Sequence, residues 1–317
     1  MKTMTNKIHG EGYLYSHNLE KKVSGPKSKN PGTSYIAGTI DIATDDSLTN
    51  VIQFHFSYVT ATTFKGAKNR TYSILNDIID GKIGNVMDNG KENAGLIGVD
   101  SSIALNEFYD KEDKLASIRR NEGGFVNTVK ELNSNIAKRS EFELDMLVTG
   151  IKRIEANEEK NLPEKMEVKG FIFTFRKEIL PVSFTVIDTD GMDYLEGLAP
   201  DKQNPVLIPV WGNQVSMTIK STKVEENMFG GEHVTETTST KKDYIITGVK
   251  APLDWDSEDT ILATEVTKAL ADREIALADI KKRRDEYNAE KAANPTANLG
   301  FDTAAAESTA NPLDFEF

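Results

Sequence analysis

Along the first two thirds of the chain apolar and polar residues alternate with a period of two, the spacing that sends successive side chains to opposite faces of a β-strand. Residues 10–23 open with Tyr13, Leu14 and Tyr15; 34–43 alternate through Tyr35, Ile36, Ile40 and Ile42; 51–60 place Ile52, Phe54, Phe56 and Tyr58 on one face. The break at Asp45, Asp46 and Ser47 predicts a hairpin between the last two. At 69–79 the period changes: Tyr72, Leu75, Ile78 and Ile79 share a helical face, and Gly81 suits a helix C-cap. Further strands are predicted at 95–108, 124–132 and 142–155. Three strands, a helix and then more strands is the order of a small oligonucleotide-binding (OB) barrel, although other β-rich domains share it.

A polar stretch around 156–166 separates a second strand-rich block. Strands are predicted at 169–175, with Phe171, Phe173 and Phe175 on one face, and at 182–188, 206–211, 214–224 and 243–249. Asp190-Gly191 reads as a turn, 192–198 as a short helix, and 225–242 as an extended hairpin tip. This repeats the first block's grammar loosely, so a second barrel, or a sheet packed on the first, is expected. After Trp255, Asp256 or Ser257 suits the cap of a helix running to about residue 293, with Glu258 and Asp259 in its first turn and a basic run, Lys281 to Arg284, near its end. Its apolar stripe suits packing or self-association; DNA contact by the basic run is the alternative. The predicted class is therefore mainly β (α+β): an OB-fold-like barrel over 1–158, a second β-rich domain over 159–255, a C-terminal helix over 256–294 and a disordered acidic tail over 295–317.

Composition narrows the chemistry. The 317 residues include no cysteine, which removes disulfides, thiolate metal sites and cysteine nucleophiles. His9, His17, His55 and His233 lack metal-ligand spacing. No apolar run approaches a membrane span and no signal segment opens the chain, so a cytoplasmic protein with no membrane partner is expected. Residues 84–91 miss the phosphate-loop spacing by one residue, and Glu92 replaces the hydroxyl that would hold magnesium. The acids around Gly191 miss a calcium loop at its first and last positions. No catalytic constellation stands out, and the reading is a non-enzyme with no cofactor and no metal.

The formal charge is −12. That argues against nucleic acid on a crude test, but phosphate responds to the local surface rather than to the sum. Lys21, Lys22, Lys27 and Lys29 fall in a Ser-, Gly- and Pro-rich loop, 20–32, between the first two strands, where an OB barrel flanks its ligand groove. Lys65, Lys68 and Arg70, with Phe64 and Tyr72 interleaved, form a second basic-aromatic cluster at the helix entry. Tyr13, Tyr15 and Tyr35 are the candidates for stacking on bases. A solvated loop and a surface charge cluster beside a buried Phe are the ordinary alternatives.

The chain ends on Asp314, Phe315, Glu316 and Phe317, and from Leu299 onward it carries four acids and no Lys or Arg. Such a tail cannot bury enough apolar surface to fold, and an acidic segment with an aromatic tip suits competition for a basic groove or docking in a partner's apolar pocket. A frayed terminus is the plain alternative.

The segment 12–25 (GYLYSHNLEKKVSG), followed by 35–45 (YIAGTIDIATD) and later by Ile208-Pro209-Val210-Trp211-Gly212, resembles proteins of tailed phages of gut bacteria, a family assigned, where assigned, to single-stranded DNA binding. The resemblance implies a phage replication or recombination role, single-stranded DNA as ligand, and replication or recombination proteins as tail partners. A homo-oligomer is also expected. The tail is similar in kind to the acidic tips of single-stranded DNA-binding proteins, but lacks their denser acid run and the Pro before the final Phe. A virion or virion-assembly protein is the second reading, and a nuclease with unrecognised carboxylates the third.

Overall fold

The computed structural model describes residues 3–26, 28–156, 163–226 and 232–293, with backbone alone for 217–226, 232–241 and 291–293. Its strands are β1 (Asn6–His17), β2 (Glu20–Val23), β3 (Ser34–Ala43), β4 (Val51–Thr60), β5 (Leu96–Tyr109), β6 (Leu115–Thr128), β7 (Glu141–Ile154), β8 (Lys165–Phe173), β9 (Ile179–Val186), β10 (Val206–Glu226) and β11 (Glu232–Val249). The helices are α1 (Arg70–Ile79), α2 (Val86–Asn89), α3 (Thr189–Leu198) and α4 (Ala263–Ala293).

Strand pairing closes two rings. In the first, β1 pairs β3, β3 pairs β4, β4 runs parallel to β6, β6 pairs β5, and β5 returns to β1. In the second, β7 pairs β8, β8 pairs β9, β9 runs parallel to β11, β11 pairs β10, and β10 returns to β7. Both rings have the same order, with a helix between the third and fourth strands, α1 in one and α3 in the other. The first is the expected OB-type barrel, and the second β-rich block repeats its topology; they are barrel 1 and barrel 2 below.

Ile52, Phe54 and Phe56 face inward as the alternation of β4 predicted. Ile8, Leu14, Ile36, Ile40, Ile42, Phe54 and Phe56 fill barrel 1, and Phe142, Val168, Val182, Phe184 and Ile246 fill barrel 2, in one continuous cluster. The barrels meet at β1, where Ile8 faces Ser101 of β5 and Phe142 of β7. A buried polar seam joins them as well. Asn121 donates to Gln214 Oε1 at 2.9 Å and accepts from the Tyr244 hydroxyl at 2.9 Å, while Asn50 donates to the Gln214 carbonyl and accepts from the Ser216 amide. Arg119 of β6 reaches the Ser183 carbonyl and lies 4.3 Å from the Tyr244 ring centroid. Burial pushes the Tyr244 hydroxyl up to about 12, against the nearby charge of Arg119.

Phe142 stacks on Phe184 at 5.5 Å between centroids and tilts on Tyr244 at 5.8 Å. Phe142→Ala is therefore expected to cost about 3–5 kcal/mol, read as a lowered urea midpoint; an unchanged midpoint would contradict this packing.

Several sequence expectations are corrected. The 20–32 loop begins as strand β2, paired with β3. Strand β6 starts at Leu115 instead of 124, because Gly123-Gly124 is a bulge within the strand and not a break. There Gly124 has φ +110°, and a Cβ would lie 1.9 Å from the Asp100 carbonyl oxygen. The two strands expected at 206–211 and 214–224 are one; the register shift beside Trp211 and Gly212 places its extra residue, Thr247, on the partner strand β11. Asp190-Gly191 is the first turn of α3, and Asp188 caps it by accepting the Gly191 amide at 2.8 Å. Phe175 does not share a buried face with Phe173; it is 81% exposed, in the β8–β9 turn. Helix α4 begins at Ala263, so Glu258 and Asp259 precede it, although Asp256 still accepts the Ala263 amide at 2.8 Å.

Val266, Ala269 and Leu270 of α4 pack on a second cluster with Met4, Leu147, Phe173 and Ile179. Further along, Arg273 forks onto Glu107, Lys281 and Arg284 both pair with Asp113, and Lys281 lies 5.6 Å from the Tyr109 ring centroid. Two of the four residues in the basic run thus hold the β5–β6 loop. Among the described residues no helix is long and apolar enough to cross a membrane.

Candidate nucleic-acid interface

An OB barrel presents the outer face of its second and third strands to ligand; in barrel 1 these are β3 and β4. Their outer surface is divided. Toward the Asp41 end it is polar and saturated: Asp41 accepts from Ser16 at 2.7 Å and from Gln53 at 2.9 Å. Glu122 beside it accepts from His55 at 2.9 Å and from Ser57, with Arg120 Nε at 2.9 Å. Burial alone would raise the Glu122 carboxyl, but the hydrogen bonds from His55 and Ser57 and the charge of Arg120 outweigh it and hold it below the usual range.

The opposite end is aromatic and cationic. Tyr35 and Tyr58 pack ring on ring, centroids 4.5 Å apart and planes tilted 35°. Tyr58 is 46% exposed, which corrects its assignment to the inward face of β4. The cause is a bulge. Ile36 faces Val59 and Gly38 faces Phe56, so β4 carries one extra residue opposite Ala37; Ser57 and Tyr58 both turn outward and Val59 takes the inward place. Gly38 makes this possible, since with φ +131° it sits where a Cβ would come within 2.5 Å of the Asn18 carbonyl oxygen.

Connections on both sides of this pair carry cations. Ser24 closes the loop between β2 and β3 by hydrogen bonds to and from its neighbours Thr33 and Gly32, and its hydroxyl lies 3.2 Å from the Tyr58 hydroxyl. Lys29 stands exposed on that loop. On the other side Tyr35 faces Thr60, from which a small hairpin springs: Thr62 bridges Lys68, the Thr63 amide donates to Ala67, and the Gly66 amide donates to Thr63. Phe64 occupies the tip, fully exposed, followed by Lys65. Asn69 ties the hairpin back by donating to the Thr60 carbonyl at 2.9 Å and caps α1, whose first residue is Arg70. Lys29, Lys65, Lys68 and Arg70 make no ion pair among the described residues.

The remaining candidates are distributed unevenly. Lys22 lies beside Tyr35 in the β2–β3 ladder and pairs with Glu20 at 3.0 Å. Lys21 is committed to Asp80 at the end of α1, 2.8 Å away, and its hydrogen bond holds that carboxyl below the usual range. Tyr13 and Tyr15 stand half-buried on β1, and Lys91 Nζ lies 4.9 Å from the Tyr13 ring centroid. Neither forms a ring pair with Tyr35 or Tyr58 among the described residues. Lys27, Asp314, Phe315, Glu316 and Phe317 lie outside the described residues. Sequence reasoning put Tyr58 in the core and held Phe64 in the second basic-aromatic cluster, with a buried Phe as the ordinary alternative; the signal for its exposure was its place between Thr63 and Lys65-Gly66, at a turn.

A cleft of about 630 Å³ lies where the barrels join, beside Ile8 and Phe142. Its lining sets Asp100, Glu122, Glu141 and Glu143 against Lys7 and His9, an acid excess that disfavours phosphate. No group of three or more potential metal ligands occurs among the described residues.

Among solved structures, a deletion mutant of the single-stranded DNA-binding protein from Thermus aquaticus is similar over 82% of this chain and 100% of that one, with 10% identity and a TM-score of 0.45. No curated protein sequence matches the chain. Residues 5–283 match the sequence model of the YorF family, and the chain belongs to that family.

Proposed function

We propose that this is a non-enzymatic, sequence-tolerant single-stranded DNA-binding protein of phage replication or recombination, with barrel 1 as its binding face. The observation that carries the reading is the convergence, at one end of the β3–β4 face, of the exposed rings of Tyr58 and Phe64 and the half-buried Tyr35 with cations that make no ion pair among the described residues. Every base offers a π-face to such rings, and ammonium and guanidinium groups follow a phosphate chain without reading sequence. Placing those cations on a molecule of net charge −12 confines attraction to that patch. The tail tip, Asp314 to Phe317, is proposed to recruit replication or recombination proteins and to compete with DNA for the cationic patch.

A fluorescence titration with oligo-dT at several salt concentrations tests both parts. If Lys22, Lys29, Lys65, Lys68 and Arg70 all meet phosphates, log affinity should fall with log salt at a slope of roughly −3 to −4, about −0.7 per contact. Absence of binding at low salt, or binding indifferent to salt, would refute the reading. A chain ending at Ala310 should bind DNA equally or more tightly and lose capture of its protein partners; weaker DNA binding would remove the competitive role.

A further inference from the structure

We infer that the duplicated barrel is used once: a single strand lies on barrel 1, and the corresponding face of barrel 2 keeps polyanions off, so that each chain covers the length of one barrel. This rests on the reading above and deepens it.

The two rings differ part by part. Between the first and second strands, residues 18–33 of barrel 1 hold Lys21, Lys22, Lys27 and Lys29 against Glu20; residues 155–164 of barrel 2 hold Glu155, Glu158, Glu159 and Glu164 against Lys160. The same connection thus changes from net positive to net negative. Between the third strand and the helix, barrel 1 has Phe64, Lys65, Lys68 and Arg70, whereas barrel 2 has Ile187 and Asp188, with Asp190 in the first turn of α3.

The strand faces differ too. The Tyr35–Tyr58 pair has no counterpart, because every residue of β9 from Ile179 to Val186 is buried except the half-buried Thr185. On β8, Lys169 lies 3.6 Å from Glu167. Arg153, at the end of β7, is already held by Glu164 at 2.7 Å, Asp193 at 2.9 Å and Glu196 at 3.1 Å. A phosphate arriving there meets a carboxylate excess, and the ring that barrel 2 exposes, Phe175 beside Arg176 in the β8–β9 turn, lies at the other end of β8. What barrel 2 supplies instead is support, through the seam of Gln214 and Tyr244 against Asn121.

The test is photocross-linking of the whole chain to oligo-dT carrying 5-iodo-deoxyuridine, followed by peptide mapping, with oligonucleotide length varied. Cross-links are expected within residues 20–79 and none within 163–198. Affinity is expected to rise by less than about threefold once the oligonucleotide exceeds one barrel's footprint, about 4–16 nucleotides. Cross-links within 163–198, or a steep second gain in affinity at twice that length, overturn the single use of the barrel while leaving single-stranded binding intact. Failure to capture any oligonucleotide overturns the proposed function, and this inference with it.

Discussion

A chain carrying Lys65→Ala, Lys68→Ala and Arg70→Ala is expected to bind oligo-dT roughly 100-fold more weakly at about 0.1 M salt, with a salt slope reduced by about 2. Each phosphate contact on a single strand contributes about 0.7 to that slope, so three contacts amount to about two decades of affinity at that concentration. The fold should survive, because all three side chains are exposed and the hairpin is held by backbone bonds and by Asn69, which are untouched. Lys21→Ala is the matched control. Its ammonium is occupied by Asp80, so the slope should stay close to that of the unaltered chain. If the triple variant kept its affinity and slope, the hairpin would not lie on the path of the strand.

Replacing Tyr35 and Tyr58 together by alanine should weaken binding by at least about 30-fold, since stacking of one base on one ring is worth about 1–3 kcal/mol. The salt slope should not move. That separates loss of stacking from loss of charge within one titration series. Tyr58→Phe keeps the ring and gives up only the contact with Ser24, so its affinity should change little. An alanine pair that still binds with the original affinity would show that the rings are packing for the loop rather than a platform for bases. Tyr13→Ala, remote from the pair and facing Lys91, should have the smaller effect.

The parts legible in the sequence are those governed by local periodicity. Alternation located β3 and β4 to the residue, and the shift to helical spacing after Asn69 located α1. Bulges were hidden, because one inserted residue breaks the alternation without any change in composition. Gly123-Gly124 looked like the start of a strand and Tyr58 like part of the core, and the extra residue opposite Trp211 and Gly212, Thr247, left no mark in the sequence of β11. Closure of the rings was equally out of reach, since the parallel contacts of β4 with β6 and β9 with β11 join residues 67 and 60 positions apart.

The candidate site divides in the same way. Lys65, Lys68, Arg70 and Tyr35 announced themselves by charge and spacing, whereas the pairing of Tyr35 with Tyr58 depends on the bulge, and the withdrawal of Lys21 depends on where α1 ends. The basic run of α4 illustrates the converse. A cluster that invited phosphate in one dimension has two of its members folded against Asp113.

Ile8 belongs to two ladders at once, opposite Ser101 on one side and Phe142 on the other. A slip of one residue in β1 would turn its inward set outward in barrel 1 and at the same time shift its pairing with β7 of barrel 2, because side chains reverse face with every step. Misalignment at this one strand is thus penalised twice, and the junction acts as a common reference mark against which the order of the rest of the molecule is set.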